Sequence, residues 1–307
     1  MIIMDFWFQV LILAVLLDVL SGEPPVFIHP VVWMGKLTGL FVRRAPARHR
    51  KLYGLFMVVF CVGVAALVGL LVISLGENLL GLIIAAFLLK STFSIRMLLI
   101  SARGIRKDLD GGRIKKVRSD LKTFVGRDTS KLNEHQSASA VIESVAESFV
   151  DGILSPLFYF LLFGLPGALA FRMINTLDSM VGYKKEPFID IGYASARLDD
   201  MANWVPARLS LVFISIVSVF SGKPLEAIKT CIHDHDKTAS PNSGWSMAAV
   251  AGALEIRLEK VGYHVLGAEY NNPRPFHINK AVKLVGFSSF LVIAGIFLIG
   301  KVPLVGF

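Results

Sequence analysis

Five carboxylates and five cations on one polar stretch offer the clearest chemistry in this chain. Residues 172–208, RMINTLDSMVGYKKEPFIDIGYASARLDDMANWVPAR, carry Asp178, Glu186, Asp190, Asp199 and Asp200 against Arg172, Lys184, Lys185, Arg197 and Arg208. The net charge of the stretch is therefore zero. Balanced charge interleaved with Asn, Thr and Trp is unlike a disordered tether, which carries an excess of one sign. Asn175 and Asp178 stand three apart, on one face of a helix, while Asp199 and Asn203 stand four apart in a second cluster. Oxygen ligands of this kind suit Mg²⁺, which takes one or two carboxylates together with phosphate oxygens and water. Asp178, Asp199 and Asp200 are accordingly expected as metal ligands, and Arg197 and Arg208 as bidentate clamps for a phosphate or carboxylate. An ion-pair network closing a helix junction would use the same residues. Ionisable groups beside apolar spans are nevertheless costly to bury unpaired, which favours a site.

A second set lies upstream in AVIESVAESFVDG. Glu143, Glu147 and Asp151 recur at i, i+4 and i+8, a spacing that stacks three carboxylates on one helical face. Like charges so placed need a cation, a metal or a proton. A solvated helix end would give the same pattern, but the apolar neighbours Val141, Ile142, Val145 and Ala146 argue for a held face. Further on, Ser240-Pro241-Asn242-Ser243-Gly244 is a donor-rich turn ahead of a helix, where backbone amides can receive an anion. Helix capping explains that turn equally well. Residues 231–236, CIHDHD, have the composition of a metal cluster, yet two His at i, i+2 on a helix seldom share a ligand geometry. No Walker A loop, HExxH, GxSxG or GxGxxG occurs, so a nucleotide would have to bind by other means.

The elements that must position these groups are membrane helices. With 54% hydrophobic and 18% charged residues over 307 positions, and a mean hydropathy of +0.62, the chain is too apolar for an ordinary soluble domain. The formal charge of +9 sits in blocks beside apolar runs, which points to the anionic cytoplasmic leaflet and not to nucleic acid. Two cysteines build no disulfide framework. The N-terminus has no basic region before its apolar run and no small-residue cleavage site, so residues 2–20 read as a retained helix. A short interfacial helix is expected over 29–41 and an uncharged span over 52–75. A helix over 79–100, a soluble basic loop over 104–136 and a helix over 137–150 follow. Apolar residues 153–173 come next, interrupted by Gly164-Leu165-Pro166-Gly167. Residues 204–220 are marginal for a crossing, 246–260 read as one amphipathic helix, and 281–300 as the last span. Repeats and low-complexity segments are absent. The expected architecture is an all-α polytopic integral membrane protein of five to six membrane helices, one of them broken or re-entrant. It forms a single membrane-embedded domain over 1–307, with polar helical regions near 103–152 and 221–280.

Sidedness turns on the Gly164–Gly167 interruption. From Arg103 to Lys131 there are ten Lys/Arg against four Asp, and a second basic block holds Arg43, Arg44, Arg48, Arg50 and Lys51. The positive-inside rule places both blocks in the cytoplasm. A continuous helix over 153–173 would then put the polar stretch outside, whereas a hairpin at the interruption keeps it inside. The hairpin is the expected solution, because Pro and Gly there break a helix and leave two halves.

Six segments in order closely resemble one family: LLDVLSGEPPVFIHPVVWMGK, GRDTSKL, AVIESVAESFVDGILSPLFY, INTLDSMVGY, SARLDDMANWVPARL and SPNSGWSMAAVAGAL. The family is CbiB/CobD, the membrane-bound adenosylcobinamide-phosphate synthases of cobalamin biosynthesis, and the resemblance covers nearly the whole chain. One departure is Gly22-Glu23-Pro24, where the family usually has Gly-Asp-Pro. The resemblance implies a multi-pass cell-membrane ligase that joins the f propionate of adenosylcobyric acid to aminopropanol or aminopropanol phosphate, with ATP and Mg²⁺. It carries no catalytic assignment residue by residue. On chemistry, Glu143, Glu147, Asp178 and Arg197 are expected to be catalytic, and Arg208, Asn203, Asn242 and Ser243 to hold the nucleotide. Expected partners are the two substrates, membrane lipid and other corrinoid-pathway membrane proteins, with no nucleic acid. A small transporter or a non-catalytic scaffold for corrinoid enzymes are the competing classes; the long polar regions and the lack of repeats favour the enzyme.

Overall fold

The computed structural model of the chain describes residues 5–126, 128–300 and 302–304. In chain order its helices are α1 (Phe6–Ser21), α2 (Pro30–Arg43), α3 (Arg50–Ile73), α4 (Leu79–Thr92), α5 (Ile95–Asp110), α6 (Ile114–Phe124) and α7 (Glu134–Phe149). Then come α8 (Ser155–Val181), α9 (Tyr193–Ala202), α10 (Trp204–Ser218), α11 (Pro224–Asp234), α12 (Ser243–Leu254) and α13 (Pro275–Ile299). A π-helical turn (Val150–Leu154) joins α7 to α8, and β1 (Leu258–Lys260) pairs antiparallel with β2 (His264–Leu266), Leu258 opposite Leu266. Asp5 caps α1 by accepting from the Trp7 amide; the expected start of that helix at residues 2–4 lies outside the described residues. Among the described residues, five helical stretches are long and apolar enough to cross a membrane.

The chain groups into two compact units. One comprises Met1–Ser94, Ser155–Ala202 and Gly295–Phe307, the other Ile95–Leu154 and Asn203–Ala294.

The first unit is built around a broken helix. Gly164 sits inside α8 at φ 62°, ψ −153°, followed by Pro166. Only glycine takes that conformation cheaply, and proline removes the next helical donor. The break reverses the chain. The rings of Tyr159 and Phe171 stack with centroids 5.3 Å apart, although twelve residues of straight helix would separate them by about 18 Å. Gly167 likewise packs against the carbonyl of Tyr159, which a second Cβ would strike. The two halves of α8 therefore form a re-entrant hairpin, and length alone misleads where residues 134–181 count as one span.

α3 runs alongside this hairpin. A Cβ on Gly54 would collide with the backbone of Ile191, and one on Gly69 with Pro166 at the hairpin tip. Small residues permit such close backbone approach, the usual means of packing helices in lipid. Fifteen residues separate the two glycines, so the tip lies about 22 Å from the level of Ile191, most of the ~30 Å hydrocarbon core. The tip is closed by the tail of the chain: the Leu304 amide donates to the Leu161 carbonyl at 2.9 Å, and Pro303 packs against Gly164.

The helices depart from the expected pattern in three places. The basic region read as a loop over 104–136 is largely helical, α5 and α6 burying Ala102, Ile105, Leu109, Val117 and Leu121 while their cations face outward. The helix expected over 79–100 stops at Thr92, where Phe93 turns to extended backbone. The helix expected over 246–260 stops at Leu254, where Glu255 takes a left-handed conformation at φ 51°. Ile256 and Leu258 then alternate into the core, and Gly262 at φ 78° turns the ribbon. Burial of alternate residues has overridden helical propensity there.

At the other end of α3, Arg50 Nη2 donates to the Pro187 carbonyl at 2.8 Å and Lys51 pairs with Asp190 at 3.6 Å. The loop after α8 thus lies at the same end of α3 as the basic block, as the hairpin requires. In a background with Cys61 and Cys231 replaced by Ser, Tyr183→Cys and Arg48→Cys should react with an impermeant maleimide from one side. Glu77→Cys should react from the other, and labelling of Tyr183→Cys together with Glu77→Cys would refute the reversal at Gly164.

Candidate functional site

Within the first unit, the polar stretch gathers at the open end of the hairpin. Asp178 lies on the last turn of α8, its carboxylate against Gly182, where a Cβ would displace it. It is within electrostatic reach of Asp200 on α9, while Asp199 is within reach of Tyr159. Successive residues on a helix point about 100° apart, so Asp199 and Asp200 do not aim at one point. Among the described residues no three His, Cys, Asp or Glu side chains come together to hold a metal unaided. Of the expected set Asp178, Asp199 and Asp200, Asp178 and Asp200 are thus within electrostatic reach of each other. Such a pair still fits Mg²⁺, which needs one or two carboxylates when phosphate and water complete its shell. Arg197 is exposed, its guanidinium 5.5 Å from the Tyr193 ring, with Lys51 on the same ring at 5.6 Å. Tyr193 thus collects two cations beside the acids. Arg172 reaches Asn175 Oδ1 at 3.4 Å, and Thr176 and Ser179 return their hydroxyls to backbone carbonyls.

The second unit carries the remaining candidates. Glu143 is 6% exposed; Ser139 Oγ donates to its Oε1 at 2.7 Å, and His264 Nε2 stands 3.4 Å from its Oε2. Ser139 Oγ also accepts from the Glu259 amide at 2.7 Å, which ties the acid to the ribbon. Glu147, by contrast, is exposed and shares with Glu143 a cavity of about 110 Å³ whose other walls include Ser144, Lys260 and Gly126. Asp151 follows α7 in a π-helical turn that begins at Val150. The neighbouring GRDTSKL segment is anchored by Thr129, which donates to the Arg118 carbonyl, and by Arg118 Nε, which donates to the Leu132 carbonyl; its Arg127 lies outside the described residues.

Arg208 is gripped by two indoles. Its guanidinium lies 3.9 Å from the Trp204 ring and 4.8 Å from the Trp245 ring, and its Nη1 donates to the Trp204 carbonyl at 2.7 Å. Trp245 belongs to the first turn of α12, which Asn242 precedes without a side-chain cap. Arg208, Asn242 and Ser243 are thus brought together at a helix N-terminus, an arrangement suited to an anion. Asn203 is buried at the start of α10. The CIHDHD segment is structural. Cys231 donates to the Trp245 carbonyl, and burial together with the charge of Asp234 pushes its thiol up to about 12. Asp234 accepts from the Gly267 amide and pairs with Lys237 and His233.

Sequence reasoning missed one charged cluster. Lys90, 2% exposed inside α4, reaches Asp18 at 3.0 Å and Glu23 at 2.9 Å, and His29 Nε2 bonds the second oxygen of Glu23 at 2.9 Å. Burial opposes ionisation of Glu23, but bonds from His29, Ser94 and Lys90 outweigh it and hold its carboxyl at about 2. His29 Nδ1 accepts the Val31 amide, which caps α2 and assigns the ring proton to Nε2. The available signal was Lys90 itself, a lysine in an apolar helix, read with Asp18, Glu23 and His29 of one motif.

A hairpin-bearing bundle with buried ionic clusters defines a polytopic α-helical membrane protein with acid- and arginine-rich surfaces. The CobD/Cbib protein family model matches residues 11–285. Relatives include a probable cobalamin biosynthesis protein CobD of Methanothrix thermoacetophila, 41% identical over 92% of this chain and 93% of its own. The cobalamin biosynthesis protein CobD of Dehalococcoides mccartyi is 40% identical over 90% and 92%, and that of Photorhabdus laumondii 41% over 82% and 81%. The chain belongs to the CobD/CbiB family of cobalamin biosynthesis proteins. No solved structure matches it.

Removing one partner of a buried ion cluster strands the others. Lys90→Met should destabilise the protein by about 3–5 kcal/mol, read by denaturation in detergent micelles. Adding Asp18→Asn to Lys90→Met should recover a large part of that loss; no recovery would show that the charges are not coupled.

Proposed function

We propose that this protein is an ATP-dependent amide ligase, joining the f propionate of adenosylcobyric acid to aminopropanol or aminopropanol phosphate. The observation that carries the reading is membership of a cobalamin biosynthesis family over residues 11–285, together with an acid pair and an arginine-bearing anion receptor in the motif segments. In the proposed reaction the propionate oxygen attacks the terminal phosphorus of ATP, releasing ADP and leaving an acyl phosphate. The amine nitrogen then displaces phosphate, forms the C–N bond and gives up one proton. Mg²⁺ on Asp178 and Asp200 would neutralise phosphate charge. Arg197 and Arg208 bind phosphate oxygens, Arg208 with a guanidinium plane already fixed by Trp204 and Trp245. Asn203, Asn242 and Ser243 contribute polar contacts to the nucleotide. Of the two glutamates, Glu147 would take the proton, because it is exposed on the cavity wall while Glu143 is buried.

The contacts of residues 187–191 with the basic end of α3 support a site at the cytoplasmic face of the cell membrane. That face supplies ATP. The same argument disfavours a transport role for these acids, since they sit at one end of the hairpin and not at mid-depth.

Purified protein given adenosylcobyric acid, ATP, Mg²⁺ and either amine should yield the amide, detected by mass; no product with either amine would defeat the reading. Asp178→Asn and Arg197→Ala should abolish turnover without loss of folded protein. Glu147→Gln should lower kcat by about 10²-fold or more, the usual worth of a general base, and unchanged kcat would remove it from that role.

A further inference from the structure

Within the first unit, α2, α3, α4 and the returning half of α8 enclose a cavity of about 250 Å³. Its walls include Pro30, Trp33, Cys61, Ala65, Leu169 and Met173, and no residue lining it is ionisable at neutral pH. The indole N–H of Trp33 is already given to the Phe27 carbonyl at 3.0 Å, and Cys61 is buried. An occupant therefore needs no hydrogen bonds. The volume lies below the ~300–1,000 Å³ of pockets that take drug-sized ligands, so a corrin ring is too large.

The mouth decides what enters. Trp33, Val64 and Val68 are exposed on the rim, and Val64 and Val68 continue the exposed apolar side of α3 formed by Val59, Phe60, Leu67 and Leu71. That side of a 24-residue helix with a mean hydropathy of 3.0 faces lipid. In water an apolar cavity stays dry; here the neighbouring medium is hydrocarbon. The cavity also has a reason to remain open. Toward its C-terminal end α2 packs on α3, Phe41 beside Tyr53, Phe56 and Phe60, while at the other end His29 and Glu23 fasten its first turn toward Lys90. The residues of α2 that line the cavity, from Pro30 to Leu37, lie between those two anchors.

We infer that this cavity is a lateral binding site for one acyl chain of a membrane phospholipid, seated between α2 and the re-entrant hairpin. The inference is independent of the proposed ligase activity. Leu169 and Met173 form the wall of the cavity away from the exposed side of α3 that bulk lipid contacts.

The test uses the full chain in vesicles doped with a phospholipid whose acyl chain ends in a diazirine. After irradiation, labelled residues are mapped by peptide mass spectrometry. Label is expected at Ala65, Leu169 and Met173 as well as at exposed Leu71. Val64→Phe narrows the rim from the exposed surface, and Ala65→Phe fills the interior. Each should reduce label at Leu169 and Met173 to background while leaving Leu71 unchanged. Label confined to exposed positions in the unsubstituted protein, or persisting at Leu169 and Met173 in folded Val64→Phe, would overturn the site.

Discussion

Backbone buried at membrane depth has no water to bond, so every interruption of a helix must be answered by protein. In this chain the interruption at Gly164 is the one on which the rest depends. It turns α8 back on itself, so that residues 182–193 return to the end of α3 from which the basic block projects. Two glycines of α3 let the backbones of the hairpin tip and of Ile191 come within van der Waals contact, fixing both ends of the returning half-helix. Without that reversal the acids of α8 and α9 would face the compartment opposite the basic block at the start of α3.

The ionic groups follow a consistent division. Lys90, Asp18, Glu23 and His29 satisfy one another inside apolar packing and hold α1, α2 and α4 together. Glu143, Ser139 and His264 do the same for α7 and the β-ribbon. Glu147 instead is exposed on a cavity wall, and Arg197 and Arg208 lie against aromatic planes.

Much of this was legible from residue order alone. Uncharged runs gave α3 and α13, and the Gly-Leu-Pro-Gly interruption gave the hairpin, because both depend on local chemistry. The i, i+4 pair Glu143/Glu147 survived for the same reason. The π-helical turn that carries Asp151 was not legible, since one extra residue in a turn changes no composition and leaves no periodic trace. The ribbon after α12 was misread as helix because Glu, Arg and Leu are good helix formers and only tertiary burial of Ile256 and Leu258 opposes them. The Lys90 cluster escaped because its members lie up to 72 residues apart in sequence, and only the fold brings Asp18 to Lys90.

The bond from the Leu304 amide to the Leu161 carbonyl bears on the order of assembly. A ribosome releases residue 161 long before residue 304, so the hairpin enters the bilayer with a carbonyl still lacking its eventual donor. Loop closure over that separation is slow compared with local helix formation. The tip therefore matures last, and the final residues of the described chain act as a bolt drawn across a doorway that was framed much earlier.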